Sequence, residues 1–347
     1  MADGNEALKQ HAELNAILGK TSYTAADKAR IVKLMKDLKI DKEDDGGPFV
    51  LLRQNRGHLV KRPQSGGIQI VADGRGDWIG WVELKVEEVN EVATRNTAHV
   101  INDINADVLG VIEAENRPSL VRFSKNVIGT SGGTPYAHIM LIDGNDERGI
   151  DVAMLTRAGY DIVSIESHVD DADAQGRIFS RDCAQFEIKT PQGNTVFVLM
   201  NHLKSKGFGT QADSNTKRKR QAKRVKEIYQ AVRANHEFVA VLGDLNDTPD
   251  SDPLAPLIAE TDLKDISEHA QFDDGGRPGT YANGTASNKI DYVLLSPALF
   301  ARATQGGIFR MGVWGGTHGT LFPHYPEMTK ASEAASDHAA IWAEINV

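Results

Sequence analysis

The sequence predicts an α/β fold in which paired β-sheets carry helices on their outer faces. Short apolar, β-rich runs recur from residue 48 to the end of the chain, and they outnumber the helical stretches between them. No internal repeat of fixed period and no low-complexity tract points to a solenoid or a propeller.

Helix formers with apolar residues at helical spacing fill residues 5–40, and Thr24-Ala25-Ala26-Asp27 reads as a cap opening a second helix. Residues 41–47 read as a linker. Strands are expected at 49–52, 68–72, 78–84, 108–112, 152–155, 196–200, 238–242, 292–295 and 340–345, and helices at 92–105, 117–127 and 216–234. The polar stretch 302–335, rich in Gly, His and Thr, reads as a surface loop bordering a site.

Composition narrows the function classes. A chain of 347 residues with 40% hydrophobic content can bury a large core. Its net charge of −9 argues against indiscriminate binding along a polyanion, although a local basic face remains compatible with it. The single cysteine, Cys183, lies in an alternating stretch and reads as a small strand residue. Residues 1–20 lack the apolar core of a secretory signal, and no run approaches the roughly 20 apolar residues of a membrane span. A soluble, cytoplasmic protein without a membrane partner is expected; the sequence leaves its oligomeric state open.

The chemistry concentrates at strand ends. The run 238–242 leads into Gly243-Asp244-Leu245-Asn246, so Asp244 and Asn246 should emerge side by side at the C-terminal end of a buried strand. The run 108–112 ends in Glu113, a carboxylate that must either reach the rim or be neutralised, as a helix cap or an ion-pair partner would be. Asn55 follows the first run, where an isolated Asn is most often a turn residue. The run 196–200 leads into Asn201-His202-Leu203-Lys204-Ser205-Lys206, in which Asn201, Lys204 and Lys206 would suit a substrate-binding, phosphate-facing edge. Asp291 precedes one strand and Asp337-His338 another. Neighbours on a strand point to opposite faces, so Asp291, rather than Asp337, is the expected partner of the His338 imidazole.

Taken in order, Asn55, Glu113, Asn201-His202, Asp244 with Asn246, Asp291 and Asp337-His338 resemble the motifs of the endonuclease/exonuclease/phosphatase superfamily, the DNase I-like fold, over roughly 48–347. The resemblance implies a four-layered α/β sandwich of two packed, mainly antiparallel mixed sheets over 48–347, preceded by a helical extension over 1–47. It implies that Glu113 binds metal, that Asn55 assists at metal and phosphate, and that Asp337 is a further metal holder. Mg²⁺ is the expected ion, with Mn²⁺ or Ca²⁺ as alternatives. Asp244 and Asn246 would orient the attacking water or the phosphate, His338 would be base or charge partner, and His202 would contact the phosphate with support from Asp151. Ile112 stands where the family usually has Gln.

The expected activity is metal-dependent hydrolysis of phosphodiesters, DNA or RNA first. The same fold also serves phosphatases and phospholipase C-type hydrolases of inositol phosphates or sphingomyelin-like lipids. From another class, a non-catalytic binding module is an alternative, against which stands the presence of Glu113, Asp244, Asn246, Asp291, Asp337 and His338 together. The basic stretch 216–226 is either a phosphate-neutralising face or a solvated helix face.

Overall fold

A computed structural model of the protein describes residues 4–64, 66–85, 90–146, 148–207 and 210–347. The chain divides into two compact units, Met1–Val89 and Asn90–Val347.

In the first unit the helical periodicity gives α1 (Gly4–Leu18) and α2 (Ala25–Asp37). Thr24 caps α2 reciprocally: its hydroxyl accepts from the Asp27 amide while the Asp27 carboxylate accepts from the Thr24 amide. Strand β1 (Val50–Arg56) pairs antiparallel with β4 (Ile79–Leu84), and between them β2 (Val60–Lys61) pairs with β3 (Gln69–Ile70). Leu14, Ile31, Leu34 and Met35 of the helices share one core with Val50, Leu52, Trp78 and Val82. The buried aromatics satisfy their polar atoms in series, Trp78 Nε1 donating to Tyr23 Oη at 3.0 Å and Tyr23 Oη to the Leu18 carbonyl at 2.7 Å. The helices thus pack on the first hairpin, and residue 48, the expected start of the family domain, lies inside this unit.

The second unit runs α3 (Glu91–Ile104), β5 (Val108–Ala114), α4 (Arg117–Phe123), β6 (His138–Ile142), β7 (Asp151–Thr156), β8 (Asp161–Glu166), β9 (Ala172–Asp173), β10 (Gly176–Arg177) and β11 (Cys183–Lys189). It continues with β12 (Thr195–His202), α5 (Gln211–Arg233), β13 (Val239–Asp244), α6 (Ala255–Ile258), β14 (Lys264–Asp265), β15 (Phe272–Asp273), β16 (Asp291–Leu295), α7 (Pro297–Phe300), β17 (Ala303–Phe309) and β18 (Ala340–Ile345).

Six strands form the main sheet in the order β14-β16-β13-β12-β11-β8, antiparallel except for the β12–β13 pair. Its outer face, with Leu199, Val241 and Tyr292, packs on Ala222, Val225 and Tyr229 of α5. Its inner face meets a second layer made of two three-stranded sheets, β5-β7-β6 and β15-β17-β18. Val152 and Met154 of β7 bury against Phe186 and Val198, and Ile341 and Ala343 of β18 against Ala240 and Val293. Ala98 and Ile101 of α3 cover the far side of β5 and β7. The result is the four-layered, mainly antiparallel α/β sandwich, each fully buried aliphatic contributing about 1.5–3 kcal/mol.

Two features depart from the sequence reading. Residues 303–309, inside the expected surface loop, form β17, whose Gly306 sits so close to β18 that a Cβ would fall 2.9 Å from the Trp342 carbonyl oxygen. Glycines and polar residues at a crowded strand carry no apolar alternation, which is why the run reads as loop. The basic stretch on α5 is also largely consumed by acids. Arg218 is fully buried against Asp247, Lys219 faces Asp252, Arg220 faces Asp173, Arg224 faces Asp171, and Lys226 faces Glu260.

Arg218 further ties α5 to the loop after β12, donating to the Lys204 carbonyl and to Asp247 at 2.7 Å. Burial alone would raise Asp247, but Lys206 and Arg218 outweigh it and hold its carboxyl below the ordinary value. Removing one partner of a buried pair typically costs 3–5 kcal/mol, and Lys206 still faces Asp247, so Arg218→Ala should lose about 3 kcal/mol in urea unfolding. A depressed carboxylate stabilises the fold above its unfolded pKa and loses that contribution as pH falls through the folded one. The difference between wild type and Arg218→Ala should therefore be full at neutral pH and shrink on acidification below about pH 4.

Candidate functional site

Register builds the site. His202 at the end of β12 pairs with Asp244 at the end of β13, and Asp244 pairs with Asp291 at the start of β16. Cross-strand partners share a face, and this one is the inner face that Met200, Leu242 and Val293 supply further along the same strands. An apolar stripe therefore ends in a row of three titratable side chains. Gly243 makes the close approach possible: at φ +130° a Cβ there would fall 1.9 Å from the Asn201 carbonyl oxygen.

Asp244 and Asp291 of this row open into a cavity of about 750 Å³. Strands β5 and β18, each terminal in its sheet, line it together with the inner face of the main sheet and α3. Glu113, Asp244, Asp291, Asp337 and His338 all border it. Glu113 sits at φ +61°, where the β5–β7 register slips between Ile112 and Ala114.

His338, just before β18, reaches Asp291. Its Nδ1 lies 2.9 Å from Asp291 Oδ2, and the Thr280 hydroxyl donates to the same oxygen at 2.6 Å. Ser336 Oγ accepts from the His338 amide at 3.0 Å, and the Tyr281 ring tilts over the imidazole with centroids 4.9 Å apart. Burial would lower the His338 pKa, but the hydrogen bond to Asp291 and the charges of Asp291, Asp244 and Asp337 lift it to about 9.

Asp244 is 5% exposed. Its Oδ1 accepts from the Asn246 amide and its Oδ2 from Asn246 Nδ2, both at 2.8 Å, with Asn246 in the left-handed region at φ +57°. Burial first, and then the neighbouring Asp291 charge, push Asp244 well above the usual carboxylate range. His202 Nε2 stands 3.6 Å from Asp244 Oδ2, while its buried Nδ1 has no hydrogen-bond partner among the described residues. Burial, reinforced by Arg181 and Arg148, drops His202 to about 3, so it is neutral.

The donor chemistry fits a divalent cation. The carboxylates of Asp244, buried, and Asp291, half-buried, lie with the His338 ring so that one atom of each falls within 4.8 Å of the others, and two adjacent carboxylates are a hard oxygen set for a divalent cation, with the protonated His338 beside it as a charge partner.

Four other expected residues, Asn201, Lys206, Lys204 and Asp151, make contacts of their own. Asn201 is fully buried on the opposite face of β12, with its Nδ2 donating to the Leu199 carbonyl, because it is one residue out of phase with His202. The Lys206 ammonium pairs with Asp247 at 2.7 Å. Lys204 Nζ donates to the Ser205 carbonyl at 3.0 Å. Asp151 belongs to the second layer and accepts from the Gly144 amide at 2.7 Å; among the described residues no hydrogen bond joins it to His202. Asn55 lies at the exposed end of β1 in the first unit.

Sequence reasoning missed Thr280 and Tyr281, and also Asp146, which pairs with Arg148 at 2.9 Å and with buried Arg181 at 3.1 Å. Arg181 in turn donates to the Leu203 carbonyl at 2.6 Å, bracing the segment after His202. Nothing in the local spacing announces these partners. A hydroxyl and an aromatic shortly ahead of the Asp291 strand are the only sequence trace.

Comparison with known families matches residues 69–307 to the model of an endonuclease/exonuclease/phosphatase family. Solved structures of similar fold include a mannosyl-6-phosphatase from Bacteroides thetaiotaomicron VPI-5482, 17% identical with TM-score 0.53, the match covering 74% of this chain and 92% of that one. A functionally unknown conserved protein from Enterococcus faecalis V583 is 15% identical with TM-score 0.50, over 73% of this chain and 90% of that one. Truncated Caenorhabditis elegans TDP2 is 18% identical with TM-score 0.49, over 73% and 90%. At these identities the likeness to the first two is one of fold. No match is found among curated proteins.

Asp291→Asn removes the charge that outweighs burial at His338. Its imidazole should then titrate well below the wild-type value of about 9, which side-chain NMR would read directly. A raised histidine stabilises the fold below its unfolded pKa and loses that contribution as pH rises through the folded one. Wild type should therefore lose stability between about pH 6.5 and 9 in a way that the variant does not.

Proposed function

The chain belongs to the endonuclease/exonuclease/phosphatase family of phosphoester hydrolases, and we propose that it hydrolyses phosphodiesters, nucleic-acid strands among them, with Asp244, Asp291 and His338 at the reacting centre. The observation that carries this reading is their convergence at one cavity, with ligand atoms within 4.8 Å and His338 hydrogen-bonded to Asp291.

Each side chain has a distinct task in the proposal. Asp244, held by Asn246 and lifted out of the ordinary carboxylate range, accepts the proton of the attacking water. His338, kept protonated by Asp291, faces the charge that grows on the phosphoryl oxygens. His202, neutral and buried, backs Asp244 from β12, its Nε2 3.6 Å from Asp244 Oδ2. Glu113 and Asp291 would hold Mg²⁺ or Mn²⁺, which when bound supplies Lewis-acid stabilisation of a non-bridging oxygen worth several kcal/mol.

A diester is favoured over a dianionic monoester by the charges around the row. Arg148 and Arg181 are shared by Asp146, and Lys206 is engaged by Asp247. The pairing of α5 with acids likewise supports a substrate gripped at one phosphate rather than along a broad basic track.

With bis-p-nitrophenyl phosphate and Mg²⁺, His338→Ala should lower kcat about 10²- to 10⁴-fold, and EDTA should abolish turnover. The pH profile should be a bell. Activity rises as Asp244 ionises, above the usual carboxylate range, and falls as His338 loses its proton near pH 9. Plasmid cleavage should weaken only modestly with salt, with a log–log slope shallower than about −3, because few protein cations are free to replace counterions. A monoester-only activity would overturn the diester reading.

A further inference from the structure

Beside the catalytic cavity a second pocket of about 510 Å³ is built from residues near 282–283, 313–317 and 331–337, and Val313, Ser336 and Asp337 border both. Trp314 is its large wall. The indole stacks on His324 with centroids 5.3 Å apart and planes at 26°. Gly319, at φ +68°, lies against the same indole so closely that a Cβ would come within 2.7 Å of it. Trp314 is therefore fixed in place by its neighbours, and the pocket does not depend on an induced rotamer. Gly315 and Gly316, at φ +69° and +72°, turn the chain beside it and present main chain to the pocket. Tyr281, whose ring tilts over His338 and which is 37% exposed, immediately precedes the lining residues Ala282 and Asn283.

The chemistry of the lining is selective. Of the described residues around this pocket only Asp337 is charged; the rest are small, hydroxyl, carboxamide or aromatic groups. Asp337 is the one charge among the described lining residues, and the nearby Arg277 guanidinium is spent on the Asn283 carbonyl at 3.0 Å, so the lining favours an uncharged ligand over a second phosphate or a carboxylate. It is an open depression, in which the exposed amide of Asn283 and hydroxyl of Thr317 offer donors and acceptors to hydroxyl groups. We propose that this pocket seats an uncharged, hydroxyl-bearing ring carried by the ester, a sugar or a nucleoside, while the scissile phosphate lies at Asp244 and His338. The proposal rests on the phosphodiesterase reading and gives it a substrate preference.

The test compares thymidine 5′-(p-nitrophenyl phosphate) with methyl p-nitrophenyl phosphate, whose methyl group cannot fill the pocket. Two variants change the lining: Ala331→Phe, at an exposed wall position, occupies the space, and Asn283→Ala removes a polar contact. Ala331→Phe should lower kcat/KM for the thymidine ester at least tenfold more than for the methyl ester, and Asn283→Ala at least threefold more. Equal losses on both esters, or no loss, would overturn the pocket assignment. If wild type cleaves neither ester, the hydrolase reading falls by itself, and the pocket is judged by saturation-transfer NMR with thymidine and with methyl β-ribofuranoside in separate arms. Binding of either that Ala331→Phe abolishes would sustain the assignment and tell nucleoside from sugar, and absence of binding to wild type would overturn it.

Discussion

The register of β12, β13 and β16 is the constraint on which the site depends. It sets His202, Asp244 and Asp291 opposite one another on one face of a sheet, at the point where each apolar stripe runs out. Two adjacent carboxylates in a largely buried row repel, and the structure offsets that cost with His338, with the two hydrogen bonds from Asn246 and with the Thr280 hydroxyl. What remains is an excess of negative charge open to a cavity, which suits a divalent cation and a phosphate oxygen. A one-residue slip in any of the three strands would turn its polar member to the α5 side, where Asn201 and Tyr292 already point.

The scaffold behind the row is built to hold it still. Gly243 lets β13 crowd against the Asn201 carbonyl, and Gly110 lets β5 lie over the Met200 side chain, which a Cβ there would meet at 2.5 Å. Behind them Arg218 ties α5 to the segment after His202 and to Asp247, and Arg181 ties the same segment to Asp146. Arg218, which as part of the basic run 216–226 could have faced phosphates or solvent, serves with Arg181 as an internal brace. Catalytic geometry of this kind tolerates little displacement, which gives such buried pairs a purpose beyond stability.

How legible this was depends on the range of the interaction. Strand ends were readable because apolar runs terminate abruptly in Glu113, Asp244 and Asp291, and the period-two rule singled out Asp291 over Asp337 as the neighbour of His338. The same rule, applied to Asn201 and His202, would have sent Asn201 to the buried face. Asp151 and Lys206 could not be placed, since their partners, the Gly144 amide and Asp247, are fixed by the packing of distant segments. Strand β17 stayed hidden because Gly306 and Gly307 erase its alternation. The joining of α1 and α2 to β1 and β4 in one core also lies beyond local pattern, although the Thr24 cap was visible.

Asp291 and His338 are taken here to work as one unit, and a double-mutant cycle on kcat/KM measures that most directly. Asp291→Asn, His338→Gln and the double variant would be compared on a simple diester with Mg²⁺. If the pair is a unit, the double variant is no slower than the slower single variant, giving a coupling of several-fold or more. Losses that multiply independently would contradict it, and would mean that the 2.9 Å contact plays no part in the chemistry.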